Sequence, residues 1–100
     1  NMAEQTVAEV LTAATDSVTV INDINTNGNK SPYAGGTTDI DGNAVAGDWS
    51  QDDINEVVQR NVDHLETILE YTDPDVKSSS NDKSSYTGAV TTGKAYIAAN

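Results

Sequence analysis

Few residues of this chain have types and spacings that could do chemistry. Asp39-x-Asp41-Gly42-Asn43 repeats the first oxygen ligands of an EF-hand loop, a spacing that suits Ca²⁺. The pattern then departs, because Ala44 stands where that loop requires Gly and its last ligand position holds Ser50 rather than a bidentate Glu. An acidic turn is the preferred reading of Asp39, Asp41 and Asn43, with a cation loop as the secondary one. His64 is the single His, set between Arg60 and Glu66 beside an apolar stripe, and its type reads as a structurally satisfied, partly exposed imidazole. No Ser, Asp or Glu can be placed around it from the spacing alone. Asp52, Asp53, Glu66 and Glu70 read as solvated helix carboxylates rather than a pair tuned for acid and base work. Gly88 to Lys94, GAVTTGK, lacks the spacing and the following Ser or Thr of a phosphate-binding loop. Asn29-Lys30-Ser31 is a glycosylation sequon by pattern only. No catalytic residue and no cofactor is expected.

The segment that must position the rest is SQDDINEVVQRNVDHLETILEY, Ser50 to Tyr71. Ile54, Val58, Val62, Leu65 and Leu69 recur at helical spacing, and Val57 and Ile68 widen the row into an amphipathic stripe. Ser50 is the expected cap, Asp52 and Asp53 complement the helix dipole, and Ser50-x-x-Asp53 approximates a capping box. Trp49 stands one residue before the cap and Ile54 four after it, the spacing of a hydrophobic staple. Pro74 predicts an end near Tyr71 or Thr72. Asn61 falls seven residues from both Ile54 and Ile68. Buried in a coiled coil it would set register; flanking the stripe it would be exposed, the preferred reading.

A helix over about 4–22 follows from Val7, Val10, Leu11, Ala14, Val18 and Ile21 on one face, with Thr6-x-x-Glu9 as its capping box. The β-branched run Val18 to Ile21 keeps a rival extended reading open. Residues 25–48 have loop composition, with short strands around Thr37 to Ile40 and Asn43 to Ala46 allowed by a turn at Asp41-Gly42. So long a connection is expected to be functional, held by a neighbour, or mobile. A polar linker over 72–85 leads to a C-terminal helix over 86–99, carried by Tyr86, Val90, Gly93 and Ile97 and capped at Ser84 or Ser85. Gly88 and Gly93 weaken it, so it is expected to form by docking on the central helix. The fold class is therefore mainly α: one small helical domain with a long Gly/Asn/Thr-rich loop and a possible short hairpin.

Composition narrows the partners. With 36% apolar residues and no Phe the core of 100 residues is thin, and support from an oligomer or a larger assembly is expected. A formal charge of −11 disfavours direct contact with nucleic acid or anionic membranes and favours basic or apolar protein surfaces. No Cys means no disulfide or thiolate chemistry, and no apolar run reaches membrane-span length.

Arg60-Asn61-Val62 followed by His64-Leu65-Glu66, then Gly93-Lys94-Ala95-Tyr96-Ile97 after a polar spacer, resemble the C-terminal segment of small structural proteins of tailed bacteriophages, especially phages of cyanobacteria and other aquatic bacteria. The resemblance covers about the last half of the chain. It implies a virion component of head, neck, tail or fibre, non-enzymatic, packing on other virion proteins and on copies of itself. Under that reading Trp49, Ile54, Val58, Val62, Leu65, Leu69, Tyr96 and Ile97 are the candidates for subunit packing. Two alternatives stand beside it. A small secreted helical-hairpin protein of the WxG type would share size and acidity, although Trp49-Ser50-Gln51 lacks the WxG turn; a calcium-dependent binding module would rest on the Asp39 loop alone.

Overall fold

In a computed structural model of the chain, residues 5–71 and 83–100 are described. Among the described residues three helices, α1 (Val7–Asn27), α2 (Gln51–Leu69) and α3 (Lys83–Ala99), pack around one core. Between α1 and α2 lie two single 3-10 turns and an antiparallel hairpin, β1 (Thr37–Thr38) and β2 (Ala44–Val45). The mainly helical class and the small hairpin are as the sequence predicts.

Helix α1 starts at its capping box. Thr6 Oγ1 accepts from the Glu9 amide at 3.1 Å, and Glu9 Oε1 accepts from the Thr6 amide at 3.0 Å. It then runs to Asn27, five residues past the expected end. The rival extended reading of Val18 to Ile21 is not adopted, because burial outweighs the mild helix penalty of β-branched residues. Its buried row is Val10, Ala14, Ser17, Ile21 and Ile24, so Ser17 and Ile24 join a stripe in which the sequence pattern placed Leu11 and Val18.

Helix α2 begins as expected. Ser50 Oγ accepts from the Asp53 amide at 3.1 Å, which is one half of a capping box. It ends at Leu69, two residues short of Tyr71. The Glu70 and Tyr71 amides bond the carbonyls three residues back at 3.1 Å, tightening the last turn into 3-10 geometry before Pro74 can act. Ile54, Val58, Val62, Leu65 and Ile68 carry the buried stripe, while Leu69 is only half-buried.

Helix α3 already includes Lys83, Ser84 and Ser85, so neither serine is a cap and the helix is longer than the expected 86–99. The rest of the predicted linker, 72–82, lies outside the described residues. Tyr86, Ala89 and Gly93 form its buried row. Gly93 is the point of closest approach: a Cβ there would stand 2.5 Å from Val62 Cγ2, 3.3 Å from Val58 Cγ1 and 3.4 Å from Ile21 Cγ2. The absent side chain therefore lets α3 rest on α1 and α2 at once.

The long connection has a fixed base. Ser31 and Ala34 are fully buried, Ser31 Oγ accepts from the Tyr33 amide at 3.2 Å, and Gly36 N–H donates to the Ser31 carbonyl at 2.8 Å. On the return strand Gly47 N–H donates to the Asn29 carbonyl at 2.8 Å, and its Cα faces the Gly35 backbone so closely that no side chain fits.

Candidate functional site

The first candidate pairs α1 with α2. Ser17 Oγ lies 2.8 Å from His64 Nδ1, a partner that the sequence spacing did not supply. Ser17 occupies the buried row of α1, where a hydroxyl requires a hydrogen bond, and the half-buried imidazole provides it. Ser17 is 4% exposed, so a substrate carbonyl has no path to its oxygen. The arrangement is a polar bridge inside an apolar interface, and the structurally satisfied His64 expected from the sequence is what stands there.

The Asp39 loop is a self-contained turn. Asp39 Oδ1 accepts from the amides of Asp41 at 2.9 Å and Asn43 at 2.8 Å, the Gly42 amide donates to the Asp39 carbonyl at 3.0 Å, and the Asp39 amide donates to the Asn43 carbonyl at 2.9 Å. Gly42 has φ 85°, the left-handed position that closes a three-residue hairpin loop. This is the acidic-turn reading, with one carboxylate oxygen already engaged by the backbone. Among the described residues no three acidic or His side chains converge on one point.

The turn corrects one detail of the sequence reading. The loop spans residues 40–42, so Ile40 belongs to the tip rather than to a strand, and it is completely exposed at 101%. Tyr33, Val45 and Trp49 are also large exposed apolar residues of the same connection. From Ser31 to Gln59 the sequence holds Asp39, Asp41, Asp48, Asp52, Asp53 and Glu56 and no Lys or Arg. This stretch thus combines exposed apolar groups with an excess of carboxylates, of which Glu56 is paired with Arg60 just beyond it.

Trp49 joins this connection to α2. Its pyrrole ring lies over Gly35, where a Cβ would meet Trp49 Cδ1 and Nε1 at 2.6 Å. The indole is nevertheless 45% exposed, and with Asp53, Glu56, Val57 and Arg60 it lines an open groove of about 220 Å³. Arg60 and Glu56 form the expected i,i+4 pair at 3.7 Å, with both side chains mostly in solvent.

The remaining packing candidates divide by burial. Ile54, Val58, Val62 and Leu65 are sealed inside the chain's own core by α1 and α3, which corrects their assignment to a neighbouring subunit. Leu69, Tyr96 and Ile97 are half-buried against that core, and Tyr96 Oη accepts from Gln51 Nε2 at 3.0 Å. Asn61 Nδ2 donates to its own helix at the Val57 carbonyl, 2.8 Å away, beside the buried stripe. The Gly88 to Lys94 segment is helical, and Lys94 Nζ bonds Glu66 Oε2 at 2.9 Å across the α2–α3 contact. Of the sequence-predicted residues only Trp49 is both exposed and part of a recess. Ile40 was missed, although an apolar residue between two Asp in a turn is a readable sign.

Comparison of the chain with known protein families, curated proteins and solved structures finds no match. Among the described residues no helix is long and apolar enough to cross a membrane.

Proposed function

We propose that this chain is a non-enzymatic assembly component of a tailed-phage virion that docks on neighbouring proteins through its hairpin connection. The observation that carries the docking reading is Ile40, a fully exposed branched apolar side chain at the tip of a turn closed by four hydrogen bonds. Folding gains nothing from such a residue, whereas a rigid turn presents it to a partner at little entropic cost. The resemblance of the C-terminal half to phage structural proteins supplies the setting. The hydrophobic stripe of α2 is occupied within the chain, so the surface left for neighbours is the connection and not the helix row.

Six carboxylates lie along residues 31–59 beside the exposed apolar groups, and Arg60 offsets one of them, Glu56. Two copies meeting hairpin to hairpin would repel, and the partner of this surface is therefore a different protein with an apolar recess rimmed by basic groups. The test is incorporation into purified phage particles. The wild-type chain is expected at a fixed copy number, and Ile40→Asp is expected to melt unchanged yet fail to incorporate. Absence of the wild-type chain from particles, or normal incorporation of the variant, overturns the proposal.

A further inference from the structure

The groove beside Trp49 has a composition that the docking reading leaves unused. It is lined by the apolar Val57 and the half-exposed Trp49, by the carboxylates of Asp53 and Glu56, and by Arg60. Arg60 stands at one side, engaged with Glu56 at 3.7 Å. Its volume of about 220 Å³ is room enough for one long side chain. An apolar stem laid on Val57 with a cationic head between an aromatic ring and two carboxylates is the arrangement such walls select.

We infer that this groove receives an arginine side chain of the docked partner, its guanidinium stacked on Trp49 and bonded to Asp53 or Glu56. Arginine is favoured over lysine because a planar, weakly hydrated guanidinium stacks on an indole and bridges carboxylates, whereas an ammonium keeps its water. Glu56 exchanges its loose pair with Arg60, held in solvent, for a closer one in the groove. Gly35 contributes by supporting the ring: with no side chain at position 35 the indole settles onto the loop base instead of turning outward. The inference rests on the docking proposal and adds to it the chemistry that the partner must present.

Trp49 is the only tryptophan, so its fluorescence reports the groove directly. The full chain is titrated with a blocked arginine-rich peptide, a lysine peptide of equal charge and a glutamate peptide, at low and high salt. The arginine peptide is expected to shift the emission saturably and to bind several-fold more tightly than the lysine peptide, with no response to the glutamate peptide. The double variant Asp53→Asn with Glu56→Gln, both positions exposed, is expected to fold normally and to bind about tenfold more weakly, from the loss of two screened attractions. Equal binding of arginine and lysine peptides, or an unchanged affinity in the double variant, overturns the inference. Incorporation into particles is read separately. A double variant that binds arginine weakly but incorporates fully refutes the role of the groove while leaving docking through Ile40 intact, and loss of incorporation in Ile40→Asp alone identifies the hairpin tip as necessary.

Discussion

Replacing Gly93 by Ala puts a methyl group where three helices meet. Such a methyl would stand 2.5 Å from Val62 Cγ2, whereas ordinary carbon contacts begin near about 3.5 Å. Val62 cannot easily yield: it is fully buried, and a valine in a helix is held to one χ1 rotamer. Relief requires α3 to move off α1 and α2 or Val62 to leave its rotamer, and overpacking of this kind costs about 1–3 kcal/mol. Ala is a better helix former than Gly by about 1 kcal/mol, which offsets part of the loss. The net expectation is a destabilisation of up to about 2 kcal/mol, or a Tm lowered by up to roughly 16 °C for a domain of this size. Gly88 provides the control within the same helix, because nothing lies within 4 Å of its Cβ position. Gly88→Ala should stabilise by about 0.5–1 kcal/mol. Urea unfolding followed by circular dichroism measures both. The double variant Gly93→Ala with Val62→Ala should be more stable than the sum of its parts, since the new methyl enters the space that Val62 vacates. A Gly93→Ala chain as stable as Gly88→Ala would refute the close three-helix approach.

Two further expectations follow from the polar contacts. Ser17→Ala leaves His64 Nδ1 without its partner inside the α1–α2 contact and should cost about 1–3 kcal/mol by the same denaturation assay, more than the near-zero change expected at an exposed serine. The capping box makes the start of α1 sensitive to acid. The Thr6 backbone amide and then its hydroxyl hold the Glu9 carboxyl below its ordinary value of 4.5. A depressed folded value means that the contribution is complete above that pH and is lost as pH falls through the lower folded value. The protection of the Glu9 and Val10 amides relative to their intrinsic exchange rates should therefore fall as the pH drops below about 4.5, and the Glu9→Gln chain should show a smaller change.

The helices were legible where periodicity and caps agreed. Thr6 with Glu9, and Ser50 with its following stripe, are the local signals at which α1 and α2 start; the expected range from about residue 4 began α1 three residues early, while α2 was placed to within a residue. The end of α1 was not legible, because Asn25 to Asn27 look like loop until Ile24 is known to be buried. Gly93 was readable only as a weakness of α3; that it is the contact point with Val62 depends on a tertiary approach with no trace in local spacing. The Ser17–His64 bridge and the Trp49–Gly35 stack link positions far apart in sequence, so neither follows from a pattern of neighbours. The staple expectation paired Trp49 with Ile54, whereas the contact the structure gives the indole is with Gly35. Ile40 was placed in a strand because its type is a strand former, whereas the Asx turn at Asp39 decides the register and turns it outward.

The hairpin also has a practical reading. Residues 37–46 are all exposed and their turn is closed by its own backbone and by Asp39, while the fixed base at Ser31, Ala34 and Gly47 ties it to the core. What the tip displays is thus uncoupled from what keeps the chain folded. A foreign epitope or labelling tag spliced between Ile40 and Gly42 would be carried on an independent mount, with thermal stability governed by the helices beneath it.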